Sequence, residues 1–437
     1  MKRSKMTAAG VAAVAALALT ACGGGGDEAG GGETADGPVT LSISGWALNT
    51  TPEFQALADA YHEENPDVTV EVTEYRDGND YDTQIISDLA AGTAPDLYVL
   101  KNLNRLWTFQ SGGQLVDVSD VADGLDADVN GVDAYEIDGK TWAVPYRQDS
   151  WLLYYNRDLF DAAGVDYPDG SWTWDDYADA AEQLTAGLSE QGAKGTYQHS
   201  WQSLVQGFAL AQTPDADLLS GDYSYLEPYY DRAVALQDAG AQQTYGTVTT
   251  SSLTYQAEFG TQKAAMMPMG SWYIATLLAQ QENGEADDFA WGMAPAPQFD
   301  DSTTGTDGTP VTFGDPTAFG INPAIDDAKL DVAKDFLAWV AGEGGATVLS
   351  DLGVTPALSN DAVTDTFFGL DGMPTDDLSK FAFATHDTRP ENPVAAETAS
   401  IQAILNDAHS AIMSGSSSVA DGIAEAEGRA SSEVGIG

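Results

Sequence analysis

The segment "VTLSISGWALNTTPEFQALADAYHEENPDVTVEVTEY", residues 39–75, decides the fold. "VTLSISGW" (39–46) alternates apolar and polar side chains and breaks at Gly45, as a first strand does. "PEFQALADAYHEENP" then sets Phe54, Leu57 and Tyr61 on one helical face and stops at Pro66. "VTVEVTEY" (68–75) alternates strictly again. Downstream, Tyr81, Ile85 and Leu89 recur at helical spacing before Gly92 and Pro95, and "DLYVL" (96–100) is a short apolar run that suits a buried parallel strand. Strand, helix, strand, helix and strand in this order predict right-handed crossovers, a parallel sheet and the α/β class. Ligands of such sheets gather outside the carboxyl ends of the strands. Those ends offer Gly45–Trp46, Tyr75–Arg76 and Leu100–Lys101–Asn102, which makes Trp46, Tyr75 and Asn102 candidate contacts.

Further along, "TWAVPYRQDSWLLYYNRDLF" (141–160) gathers rings and two arginines in a chain with 68 Asp+Glu against 17 Lys+Arg. Trp151–Tyr155 is apolar on both faces of an extended chain, the mark of a buried strand, and Tyr146, Arg147 and Asp149 stand at its entrance. "SWTWDDYADAAEQLT" opens a helix with Thr173 as N-cap and Asp176 three residues on, a relative of the capping box. The turn-rich loop 299–310 marks a boundary; 317–324 reads as strand and turn. The helix after it turns Leu330, Ala333, Phe336, Leu337 and Val340 inward. The C-terminal quarter reads as helical.

At 437 residues the chain suits two lobes of ordinary size. Lys2, Arg3 and Lys5 precede the apolar run "AAGVAAVAALAL", which is too short and Ala-rich for a membrane span and reads as an export signal, residues 1–21. Cys22 is the only cysteine, so no internal disulfide is available. "LTAC" (19–22) resembles the lipobox of bacterial lipoproteins, which implies acylation of Cys22 and anchoring to a membrane. Residues 22–38 then form a Gly-rich tether with a reach of roughly 20 Å. Without residues 1–21 the charge is 14 − 68 = −54, which repels nucleic acid and anionic lipid and suits a solvated acidic surface.

Aromatic rings beside carboxylates, amides and arginine are what sugars require. A pyranose lays its C–H faces on rings, and its hydroxyl rim takes bidentate polar partners. Ten tryptophans exceed ordinary core filling, although Trp339, Trp107 and Trp291 are expected in the core. In "AAMMPMGSWYIATLL" (264–278) a strand gives way at Gly270, and Ser271 is expected to cap a helix with Trp272 in its first turn.

Several stretches, in order, carry a resemblance: "YHEENPDVTVEV", "AAGTAPDLYVL", "GKTWAVPYRQDSWLLYYNRDLF", "WTWDDYADAAEQL", "GSW" and "FGDPTAFGINPA…AKDFLAWV". From about residue 39 to the C-terminal helices, the chain resembles extracellular solute-binding lipoproteins of bacterial ABC transporters, in the carbohydrate-binding family that includes maltose-binding protein. That resemblance implies a two-lobed periplasmic-binding-protein-like fold with hinge strands and a ligand cleft. Lobe 1 would span 39–148 plus about 313–360, and lobe 2 about 149–312 plus about 361–437. It implies a hinge acid at Asp149, a ring-stacking Trp272 beside Ser271, and a contact at Trp46. It also implies an aromatic loop with His199 and Trp201, and a second hinge crossing at Gly314–Asp315. After "DLYVL" the family's acidic residue is replaced by Leu103, beside Asn102, and near Arg389 the aromatic platform of maltose binders has no counterpart. The implied ligand is an oligosaccharide, and the missing platform counts against maltose itself. The implied partners are the membrane permease subunits, and the implied protein is a monomer without cofactor on the outer face of the cytoplasmic membrane.

Rival readings remain at this point. The histidines (62, 199, 386, 409) are scattered and there is no GxSxG elbow or phosphate loop, but a glycosidase needs only two carboxylates. A polyamine or peptide would use the same fold. Asp126, Asp128 and Asn130 hold calcium-loop positions, with Ile137 where the bidentate Glu belongs.

Overall fold

The computed structural model describes residues 37–48, 51–76 and 79–437. The export signal, Cys22 and the tether up to residue 36 lie outside the described residues. The strands are β1 (Val39–Trp46), β2 (Val68–Tyr75), β3 (Leu97–Leu100), the short pair β4 (Glu136–Ile137) and β5 (Lys140–Thr141), β6 (Val144–Gln148) and β7 (Trp151–Asn156). They continue with β8 (Lys194–Thr196), β9 (Ala264–Gly270), β10 (Trp291–Pro295), β11 (Val311–Phe313), β12 (Pro316–Ile321) and β13 (Asp387–Arg389).

One sheet runs β2-β1-β3-β12-β6. β1 pairs in parallel with β2 from Val39↔Val68 to Trp46↔Tyr75, and with β3 at Ile43↔Leu97. The intervening helices, Glu53–Glu64 and Asn79–Ala91, bury Phe54, Leu57 and Tyr61 and then Tyr81 and Ile85, as their spacing predicts. The sheet is not parallel throughout: β12 runs antiparallel to both β3 and β6. It is the strand by which a distant segment returns to this lobe, so no crossover helix fixes its direction.

The second sheet runs β10-β7-β9-β8. β7 is flanked antiparallel by β10 and β9 and is buried at every residue, which accounts for its two apolar faces. Two separate cores result. One draws on residues between Leu41 and Tyr146 and between Ala318 and Leu358; the other on residues between Trp151 and Phe313 and between Phe367 and Ala430.

The capping box at Thr173 forms in both directions: Thr173 accepts from the Asp176 amide, and the Asp176 carboxylate accepts from the Thr173 amide. Trp291 is buried, and Trp339 packs half-buried on Tyr61 and Phe336. Trp107 departs from expectation: it is 37% exposed, because the short helix Leu106–Ser111 turns Leu106 and Phe109 inward instead. The C-terminal quarter is helical except for β13, which pairs with β11.

The chain passes between the two cores at Asp149–Ser150, from β6 to β7, and at Gly314–Asp315, from β11, which pairs with β13, to β12. These passages touch. A Cβ at Gly314 would stand 2.2 Å from the Asp149 carbonyl oxygen, a backbone atom that cannot rotate away. Gly314→Ala is therefore expected to cost at least about 2 kcal/mol of stability. Denaturant unfolding checks this, and an unchanged midpoint would contradict so close a crossing.

Candidate functional site

Arg147 ends β6 among buried carboxylates. Its Nη1 donates to both oxygens of Glu53 at 2.8 Å, and its Nε donates to Asp149 Oδ2 at 2.9 Å. Tyr146 donates from its hydroxyl to Glu53 Oε1 at 3.0 Å, and its fully buried ring lies against Phe319. Burial works to lower the Arg147 pKa, but Asp149 and Glu53 outweigh it and hold the guanidinium above its ordinary value. Tyr146 is therefore core, and Arg147 is spent on two carboxylates, one of them Asp149.

Asp149 carries this network across the crossing. Ser271 donates from Oγ to Asp149 Oδ1 at 2.8 Å, and Thr355, in the segment that flanks β6, donates to Ser271 Oγ at 3.1 Å. Ser271 is thus not the helix cap. Trp272 occupies the N-cap position of helix Tyr273–Asn283 without a side-chain cap bond, because an indole N–H cannot accept one, and Ser271 Oγ accepts instead from the Ser150 amide and the Thr355 hydroxyl.

Beside the crossing stands a cluster of rings. Trp151 stacks on Phe313 at 5.0 Å and meets Trp272 edge-on at 5.1 Å. Trp272 is half-buried, with Trp201 at 6.4 Å; Trp201, 39% exposed, meets His199 at 4.5 Å and Tyr255 at 5.6 Å. Gly270 is required here, since a Cβ on it would lie 1.9 Å from the Trp272 ring. Burial pushes the His199 pKa down to about 4, so its ring is neutral near pH 7.

The other expected residues stand apart from this cluster. Trp46 is buried on Phe54 and Tyr81 with Lys101 Nζ over its ring at 4.4 Å. Tyr75 is buried and donates to Asp88 Oδ2 at 2.9 Å. Asn102 caps the turn Leu103–Arg105 by accepting from the Asn104 amide. Arg389 is exposed and donates to Asp387 and to the Ala211 carbonyl. Asp315 is buried and internal: it accepts from the Leu103 amide at 3.1 Å, the Glu391 amide at 2.8 Å and Asn392 Nδ2 at 2.6 Å. Burial raises its pKa, opposed by these bonds. From Asp315 a side-chain chain leads through Asn392 and Gln402 to Gln202, next to Trp201.

Glu53, Ser150, Thr355, Tyr255 and Asn392 were not singled out from the sequence. Only Glu53 leaves a trace there, as a carboxylate on a helical turn that otherwise buries Phe54 and Leu57. The calcium candidates do not converge: Asp126 accepts from the Asp128 amide, Asn130 donates to the Ala357 carbonyl, and no metal-holding group occurs among the described residues.

Glu391, which accepts from the Ser203 hydroxyl, has its pKa raised to about 7, by burial first and then by Asp315. Between its ordinary value and about 7 the folded state holds the extra proton, so stability falls as pH rises through that window. Thermal melts of Glu391→Gln should show a weaker fall from pH 5 to pH 7 than the wild type. Parallel curves would refute the assignment.

Residues 56–367 match the profile of bacterial extracellular solute-binding proteins. A sugar transporter of Rhizobium etli, solved in an open conformation, is 32% identical, with a TM-score of 0.76 over 90% of this chain and 99% of that one. An ABC substrate-binding protein of Listeria monocytogenes, solved with cycloalternan, shares the fold at 19% identity. Its TM-score is 0.77 over 92% of this chain and 100% of that one. The sn-glycerol-3-phosphate-binding periplasmic protein of Escherichia coli K12 is 32% identical over 166 residues, 35% of this chain. That match spans 36% of the relative's own length, and the curated relatives from Brucella are matched over 38% of theirs. With two lobes joined at paired crossings and most of its length inside the profile, the chain belongs to the bacterial extracellular solute-binding protein family.

Proposed function

We propose that this protein is the extracellular carbohydrate-binding component of an ABC importer, which captures an oligosaccharide by closure of two lobes and delivers it to the membrane permease. The observation that carries the reading is the half-exposed ring cluster of Trp272, Trp201, Tyr255 and His199 beside the crossing. Rings of this kind accept the C–H faces of a sugar, and Asp149 and Ser271 connect that wall to the segments that must bend. Lobe 1 is 39–148 with about 313–360, and lobe 2 is 149–312 with about 361–437, in keeping with the membership of the two cores. A sugar touching both lobes favours the closed arrangement by its differential contacts. Trp272, Trp201 and His199 are the contacts from lobe 2, and Trp46, Tyr75 and Asn102, at the strand ends of lobe 1, are the contacts from across the cleft; Arg147, Asp149, Ser271 and Asp315 hold the crossings, and Arg389 lies outside the ring cluster.

Two other ligand classes fit less well. A polyamine needs free carboxylates, and both oxygens of Asp149 are engaged. A phosphoester, the ligand named for the E. coli relative, is favoured by uncompensated positive charge, and Arg147, the cation at the crossing, is held by Glu53 and Asp149. The protein works as a binder without cofactor or turnover, as a monomer tethered through acylated Cys22 at the outer face of the membrane. Calorimetry with maltotriose, cellotriose, xylotriose and raffinose, against spermidine, tests the reading. Heat with spermidine alone would sink it, and hydrolysis of a bound sugar would make the protein an enzyme.

A further inference from the structure

We infer that Tyr197 locks His199 as the Nδ1–H tautomer, leaving Nε2 as a hydrogen-bond acceptor that selects a ligand hydroxyl at the edge of Trp201. Tyr197 is fully buried, and its hydroxyl lies 3.1 Å from the Leu253 carbonyl oxygen and 2.7 Å from His199 Nδ1. A phenol has one proton, and a carbonyl can only accept. The Tyr197 proton is therefore committed to Leu253, and the short contact to His199 is satisfied only when Nδ1 donates. A neutral imidazole carries one N–H, so Nε2 keeps its lone pair. Nε2 takes no hydrogen bond from the protein among the described residues, and it is not sealed away as His409 Nε2 is.

The placement gives that lone pair a purpose. The imidazole is edge-on to Trp201 with centroids 4.5 Å apart, and 5.7 Å from Tyr255. A ring lying on Trp201 brings its rim of hydroxyls to this edge, and a hydroxyl can donate to Nε2. A carboxylate or phosphate oxygen cannot, and would meet lone-pair repulsion instead. Tyr197 is then a positioning residue and His199 a specificity contact, an assignment that rests on the ring cluster being the sugar wall.

Nitrogen-15 spectra of histidine-labelled protein without ligand at pH 7 test the first half. His199, assigned by its loss in His199→Gln, should show a protonated Nδ1 and a bare Nε2, and Tyr197→Phe should move the proton to Nε2. A wild-type Nε2–H tautomer overturns the inference whatever the protein binds. The second half uses the tightest binder among the four oligosaccharides above. His199→Leu should weaken it by about tenfold or more, and His199→Gln, which keeps an acceptor, should recover most of the loss. Equal affinities for wild type and His199→Leu overturn the acceptor role. If none of the four sugars binds, the carbohydrate reading fails while the tautomer result still decides whether Tyr197 sets the imidazole.

Discussion

Arg147→Met is expected to destabilise the protein by about 3–5 kcal/mol, the usual cost of removing one partner of a buried ion pair. Two carboxylates depend on this guanidinium. Glu53 is 2% exposed and accepts from Nη1 on each of its oxygens, with Tyr146 also donating to Oε1, and Asp149, 8% exposed, accepts from Nε. A methionine fills the volume and leaves both charges buried without a cation. Near 2–4 °C per kcal/mol for a lobe of this size, the melting temperature should fall by roughly 6–20 °C. Arg147→Lys should recover only part of the loss, because one ammonium cannot fork across Glu53 and still reach Asp149. A melting temperature for Arg147→Met within a degree of the wild type would show that the network contributes nothing. The expected size also argues about mechanism: Arg147 serves the crossing first, and its loss should weaken ligand binding by disturbing Asp149 and Ser271 rather than by removing a sugar contact.

What the sequence made legible was local or periodic. The alternation in 39–46 and 68–75, the helical spacing between them and the two-sided apolar run at 151–155 each report which way a side chain faces, and all reappear as drawn. The capping box at Thr173 is similarly closed within four residues. Partners far apart in the chain were not legible. Arg147 meets Glu53 across 94 residues and Asp315 meets Asn392 across 77, and no period encodes such a pairing. Hence Asp315 and Arg147, which look like ligand contacts when only their types are known, turn out to be satisfied inside the protein. Ser271 fails for a related reason: a serine caps a helix by accepting an amide N–H, and its Oγ already accepts from the Ser150 amide and the Thr355 hydroxyl, partners more than 80 residues away. Direction was hidden too, since β12 reads as a strand whether parallel or antiparallel.

Trp272→Ala should weaken oligosaccharide binding by more than tenfold while leaving the fold intact, because the ring lies half-buried at the end of the cluster and not in the core. Its neighbours say what is lost: a face shared edge-on with Trp151 at 5.1 Å and a wall continued by Trp201 at 6.4 Å. Truncation removes about 1.4 kcal/mol or more of ring contact with a sugar, enough for that factor. Gly270→Ala gives an independent version of the same test, since its Cβ would sit 1.9 Å from the Trp272 ring and must drive the indole from its place without deleting it. Phe299→Ala is the control, a 43% exposed ring stacked on Tyr229 and outside the cluster, which should leave binding unchanged. Wild-type affinity in both Trp272→Ala and Gly270→Ala would remove the indole from the site. Loss in those two with none in Phe299→Ala makes the position of the ring, rather than aromatic surface in general, the source of the affinity.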